Sequence, residues 1–209
     1  MTIRSYVKLT SDRIVSDRPV PCFSGTGREL LLSAFRASGI SYPKFHKMDT
    51  LSKAGFLATE ILLEGSDGRF VPREDRAVIL FNSASSLCDD RHYCKTIADP
   101  GNWFPSPAVF VYTLPNIVTG EIAIRNKYYG ETCFYVLPEP DPESICRIVS
   151  DAFQDRMTSS AICGWVDCTD DDTFEAVVFL VEDCIYEENA LHGGGMPWNM
   201  ENIRTILNK

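Results

Sequence analysis

Histidine is scarce in this chain of 209 residues, which holds only His46, His92 and His192. None of the three forms an HxxxH pair or the histidine–carboxylate spacing that holds zinc. No run reaches the roughly 18 to 20 apolar residues that a bilayer crossing needs, so no membrane is expected as a partner. Basic clusters are missing too. The 20 Lys and Arg residues are outnumbered by 29 Asp and Glu, for a formal charge of −9, and nucleic acid is excluded as a partner because phosphate binding depends on clustered cations. Residues 1–10 lack the continuous apolar core of a secretory leader, and the expected location is the cytoplasm. Low-complexity tracts and internal repeats are absent.

Cysteine is not scarce, at eight residues, but a CxxC pair is. Cys88 with Cys94, and Cys163 with Cys168, are spaced too widely for that motif, and most cysteines sit in apolar runs. They read as reduced core thiols rather than a disulfide framework. Neither a metal nor a cofactor is expected. A hydrophobic fraction of 44% with 23% charged residues is ordinary for a chain that folds around one core, so residues 1–209 read as a single domain.

Periodicity supplies the elements. Ile3 to Leu9 alternates apolar and polar residues as an edge-like strand does, followed by a turn-rich stretch from Ser11 to Thr26. Short and longer helices are predicted over Glu29 to Ala37 and Met48 to Leu63, the second capped by Asp49 or Thr50 and closed near Gly65. The run Ala77-Val78-Ile79-Leu80-Phe81 suits a buried parallel strand, leaving through the polar loop Asn82 to Ser86. Thr119 to Ile124 is undecided between helix and strand, and Phe134 to Leu137 is a short strand. Asp141 followed by Pro142 opens a helix predicted to run to Asp155. Ala161 to Val166 and Phe174 to Val181 make an antiparallel pair across Asp170-Asp171-Asp172, and Met200 to Leu207 closes the chain as a helix. This order is that of a layered α/β domain with ligand-competent loops at the carboxyl ends of its strands.

The stretch Tyr42 to Asp49, the strand into Asn82-Ser83-Ala84-Ser85-Ser86, and above all Ser106 to Asn116 followed by Gly120-Glu121-Ile122-Ala123-Ile124 resemble the amino-terminal half of a beta-ketoacyl-ACP synthase. The resemblance runs from about Tyr42 to Cys168. It implies a thiolase-like half-domain, a mixed β-sheet with helices on its faces. In that family a cysteine nucleophile sits at a helix amino terminus, where the helix dipole lowers its pKa. Counting from Gly130 puts Glu139 at the nucleophile-equivalent position, and the family's carboxyl-terminal histidines have no counterpart here. No catalytic residue is therefore assigned, which resembles the chain-length factors of polyketide systems.

Cys133, Phe134, Tyr135, Ser85, Ser86, Phe110 and Asn116 are the residues expected at an interface or pocket. Each also has a plainer reading. Cys133 is a core thiol on a buried strand, Glu139 complements a helix dipole, the Ser83 to Ser86 loop is an ordinary polar strand end, and His92 is a solvated surface histidine. Gly193-Gly194-Gly195 lacks the strand and helix that a phosphate-cradling loop requires. The expected function is a non-catalytic synthase-like partner in fatty-acid, polyene or polyketide-type biosynthesis. It would form a homodimer, or a heterodimer with a full-length ketosynthase, with an acyl carrier protein as a further candidate partner. The alternative is a small atypical enzyme on acyl-ACP or acyl-CoA, using Cys133, Glu139 or the Ser85 loop.

Overall fold

A computed structural model describes residues 1–66, 68–101, 104–183 and 195–209. Its strands are β1 (Thr2–Thr10), β2 (Ile14–Ser16), β3 (Arg76–Asn82), β4 (Thr132–Val136), β5 (Ser160–Asp170), β6 (Thr173–Glu182) and β7 (Met196–Pro197). Its helices are α1 (Arg28–Ala37), α2 (Thr50–Leu62), α3 (Leu87–Ile97), α4 (Pro107–Phe110), α5 (Ile117–Asn126), α6 (Pro142–Asp151) and α7 (Met200–Leu207). The strands form one mixed sheet in the order β2-β1-β6-β5-β3-β4, with β7 also paired to β1.

The apolar run around Ile79 behaves as its composition predicts. β3 is buried along its whole length and pairs in parallel with both β4 and β5. Successive side chains of a strand point to opposite faces, and both faces of β3 are covered. Val78 and Leu80 join the core under α1, α2 and α5, whereas Ala77, Ile79 and Phe81 join the core under α6 and α7. β5 and β6 form the predicted hairpin, paired from Ser160↔Glu182 to Asp170↔Thr173.

Several elements differ from the sequence reading, among them α3, which it did not contain. β1 is not an edge, because β6 pairs with one side and β2 and β7 with the other. Its buried polar residues, Ser5 and Lys8, are partnered: Ser5 Oγ donates to Asp17 Oδ1 at 2.7 Å, and Lys8 Nζ pairs with Glu175 Oε1 at 2.8 Å. The turn-rich stretch contains β2. The undecided segment is helical, with Val118, Ile122 and Ala123 buried on one face of α5. That helix lies tight on α2, since a Cβ at Gly55 would stand 2.7 Å from Val118 Cγ2. α6 stops at Asp151, short of Asp155, before a turn in which Arg156 takes a positive φ of 61°.

Asp49 and Asp141 are the caps of α2 and α6, accepting from Ser52 N and from Glu143 N and Ser144 N respectively. Residues 193 and 194 of the triple glycine lie outside the described residues, as does Trp103. Among the described residues, no single helix is long and apolar enough to cross a membrane.

Candidate functional site at the carboxyl ends of the strands

The parallel strands β3, β4 and β5 all end on one side of the sheet, where Ser83 to Ser86, Glu139 and the Asp171-Asp172 turn gather. Among the described residues, β4 is the last strand in the sheet order. Val78 N donates to Glu131 O and Leu137 N to Asn82 O, both at 2.8 Å. The period-two geometry of a strand then turns the backbone groups of Thr132, Phe134 and Val136 outward, away from β3. Val136 is 54% exposed.

Glu139 follows β4 and is exposed. Its carbonyl accepts from Asp141 N at 2.8 Å. The helix behind it is closed by its own residues. Pro142 has no N–H to offer, and Asp141 takes the N–H of Glu143 at 3.2 Å and of Ser144 at 2.9 Å. The free donors that stabilise an anion at a helix amino terminus are thus already used.

The residues expected at an interface or pocket lie on both faces of β4 and in the neighbouring loops. Phe134 packs on the α2 and α5 side of the sheet, whereas Cys133 packs on the α6 and α7 side. Tyr135 stacks on Phe81 with ring centroids 5.4 Å apart and lines a shallow cleft against α6 with Arg147 and Asp151. The Cys133 thiol donates to Glu131 Oε1 at 3.1 Å; partial burial and that carboxylate push its pKa up. It is half-buried on the edge strand, not enclosed in the core.

In the serine loop, Ser83 N and Oγ donate to Asp167 Oδ2 and Ala84 N to Oδ1, while Ser85 N donates to Asn82 Oδ1 at 3.0 Å. These amides are therefore not free for a phosphate. Ser86 is buried, its hydroxyl donating to Thr113 O at 2.7 Å. Phe110 lies on Tyr93, and Asn116 is the exposed residue that precedes α5.

A second cluster was not legible in the sequence. The amino ends of α2 and α3 and the tip of the β5–β6 hairpin enclose a cavity of about 290 Å³, lined by Asp49, Lys53, Asp89, His92, Tyr112 and Asp171. Asp49 and Asp89 hydrogen-bond to each other. Burial first, then the Asp49 charge, pushes the Asp89 carboxyl up to about 8, and burial also raises Asp49. Both shifts run in the direction expected of two adjacent carboxylates, which do not both ionise readily in a poorly hydrated site. Burial lowers Lys53.

His92 is a third exposed and faces two carboxylates. Its Nε2 lies 3.3 Å from Asp171 Oδ2 and its Nδ1 lies 3.8 Å from Asp89 Oδ1. Cys88, one turn earlier on α3, directs its thiol to Asp171 Oδ1 at 3.7 Å. Burial, then Asp171, pushes that thiol up to about 11. The available signal was the four-residue spacing of Cys88 and His92, which places both on one helix face. Asp49 and Asp171 come from distant sequence and carried no local mark.

No protein-family model matches the sequence, and no curated protein matches it. Solved structures do resemble it. The ishigamide ketosynthase/chain length factor aligns with a TM-score of 0.66 at 15% identity, over 90% of this chain and 63% of that one. A ketosynthase in complex with its chain length factor from Xenorhabdus doucetiae aligns at 0.58 and 11% identity, over 88% of this chain and 79% of that one. A beta-ketoacyl synthase from Burkholderia phymatum STM815 also aligns at 0.58 and 11%, over 93% of this chain and 61% of that one. The chain spans less than two thirds of the length of the first of these structures. The mixed sheet, its flanking helices and these alignments together show that the chain has the thiolase-like fold of ketosynthases and chain length factors.

Proposed function

We propose that this chain is a non-catalytic, ketosynthase-like partner protein of fatty-acid, polyene or polyketide-type biosynthesis, working in the cytoplasm. The observation that carries the reading is the corner of β4 and α6, where an open edge strand meets a helix amino terminus sealed by Asp141 and Pro142. A condensing enzyme needs a thiolate at such a corner, with donors for the developing oxyanion. Here Glu139 takes the nucleophile-equivalent position, and the nearby Cys133 thiol is held protonated by burial and Glu131.

What the corner offers instead is surface. The outward N–H and C=O groups of Thr132, Phe134 and Val136 are a template for a strand of another chain. The solved structures that resemble this chain include ketosynthase and chain length factor assemblies, which supports a full-length ketosynthase as the partner. An acyl carrier protein would be met through that partner, since a charge of −9 disfavours direct docking of an acidic carrier.

The test of non-catalysis is acylation by a short-chain acyl thioester, read by intact mass and peptide mapping. No adduct is expected on Cys133 or Glu139 under conditions that acylate an active ketosynthase. One equivalent of acyl group on Cys133, abolished by Cys133→Ala, would make the chain an enzyme.

A further inference from the structure

Cys88, His92 and Asp171 bring a thiol, an imidazole and a carboxylate together, with one atom of each within 4.8 Å of the other two. We propose that these three side chains form a binding site for a divalent transition metal of the zinc class, at the tip of the β5–β6 hairpin.

Spacing supports coordination rather than chance proximity. Zinc bonds of about 2.0 to 2.3 Å at tetrahedral angles put a ligand nitrogen and oxygen about 3.4 Å apart, and a sulfur and oxygen about 3.6 Å apart. His92 Nε2 lies 3.3 Å from Asp171 Oδ2, and Cys88 Sγ lies 3.7 Å from Asp171 Oδ1. Each distance matches an edge of such a tetrahedron, measured to a different oxygen of Asp171, so a turn of that carboxylate brings one oxygen to both partners, and one atom of each residue already lies within 4.8 Å of the other two. The ligand set has the mixed sulfur, nitrogen and oxygen character that zinc accepts.

The supports of the three ligands are those of a built site. Cys88 and His92 stand four residues apart on α3, so one helix face presents both. Asp171 follows a register shift between Cys168 and Asp170, and its carbonyl accepts from Thr50 Oγ1 at 3.3 Å. A bulge of this kind re-aims the side chains around it. The ring nitrogen of His92 not directed at Asp171 faces the Asp89 carboxyl at 3.8 Å, on the side where an acceptor would orient a histidine ligand.

Among the described residues, Arg28 is ion-paired with a ligand of the site. Arg28 Nη1 lies 3.5 Å from Asp171 Oδ2, but its Nε is 3.3 Å from Asp172 Oδ1 and its side chain is 55% exposed. It has a second carboxylate to move to. The remaining coordination position opens on a cleft of about 300 Å³ that also reaches Arg91 and Lys95, leaving room for water or an anionic ligand. Coordination takes the thiolate, so one proton leaves Cys88 for solvent as the metal binds.

Cobalt(II) is the probe. The reduced, chelator-treated chain is titrated with it and followed by visible and near-ultraviolet absorption. A thiolate-to-cobalt charge-transfer band with tetrahedral d–d bands is expected, saturating at one equivalent and bleached by zinc. Cys88→Ser should remove the charge-transfer band, and His92→Gln should weaken binding at least about tenfold. His92 is a third exposed, so the second variant should keep the wild-type circular dichroism and answers the question even if Cys88→Ser unfolds. A Cys22→Ser/Cys94→Ser variant, which lacks two exposed cysteines, should bind as wild type. No band at tenfold excess cobalt, or a band unchanged in His92→Gln, would overturn the site.

Discussion

Replacing Gly164 with alanine is expected to destabilise the fold by at least about 4 kcal/mol, the range in which single substitutions are exceptional. Gly164 lies in the middle of β5, paired with Leu80 of β3 on one side and Val178 of β6 on the other. Its φ is +146°, and an added Cβ would stand 1.9 Å from the backbone oxygen of Val177. No side-chain rotamer relieves a clash with backbone. Either the β5–β6 ladder opens or β5 moves off β3, and both choices break the layer that holds the two cores apart. A chain of this length loses roughly 2 to 4 °C of melting temperature per kcal/mol, so thermal unfolding followed by circular dichroism should show a fall of roughly 8 to 16 °C. Gly39→Ala is the contrast: its φ is also positive, but nothing lies within 4 Å of an added Cβ, and a cost of about 1 kcal/mol is expected. Equal melting temperatures for the two variants would refute the packing argument at β5.

Val136→Pro should abolish association with a ketosynthase while leaving this chain folded. Proline removes one backbone donor and is tolerated in a sheet where the lost N–H faces away from the neighbouring strand. The ladder to β3 runs through residues 131 and 137 and the odd positions between them, so Val136 has its N–H on the free side. The substitution removes nothing that β3 uses and takes one donor from the edge on which the partner would pair. The expected result is unchanged thermal unfolding with partner binding lost in a sedimentation or light-scattering titration. Retained binding would move the interface away from β4. Val136→Ile, which keeps the donor, should bind as wild type.

How much of this was legible beforehand follows from what kind of information each feature needs. β3 announced itself by continuous apolar residues, because a strand buried on both faces has no reason to alternate. α6 announced itself by Asp141 and Pro142, a cap whose chemistry is local, and its early end was missed because the turn after Asp151 depends on Arg156 adopting a positive φ. β1 was misplaced at an edge for a physical reason: Ser5 and Lys8 read as solvent-facing, and only the fold supplies Asp17 and Glu175 to satisfy them in the interior. α3 went unread because its exposed face is polar and its buried residues are only Cys88 and Asp89.

The candidate site divides along the same line. The helix start just after Glu139 could be read along the chain from Asp141 and Pro142. That Phe134 and Cys133 face opposite cores follows from strand alternation. The cluster of Asp49, Asp89, His92 and Asp171 joins three elements that meet only after the sheet is assembled. No local pattern in the chain records that meeting.

The most direct measurement is the mass and composition of the complex that the tagged chain forms in its native host, captured gently and analysed by mass spectrometry and light scattering. The account predicts a full-length ketosynthase bound in a fixed one-to-one ratio, at a total mass equal to one copy of each chain or a whole multiple of it. A chain that elutes alone, carrying an acyl group on a single cysteine, would contradict it.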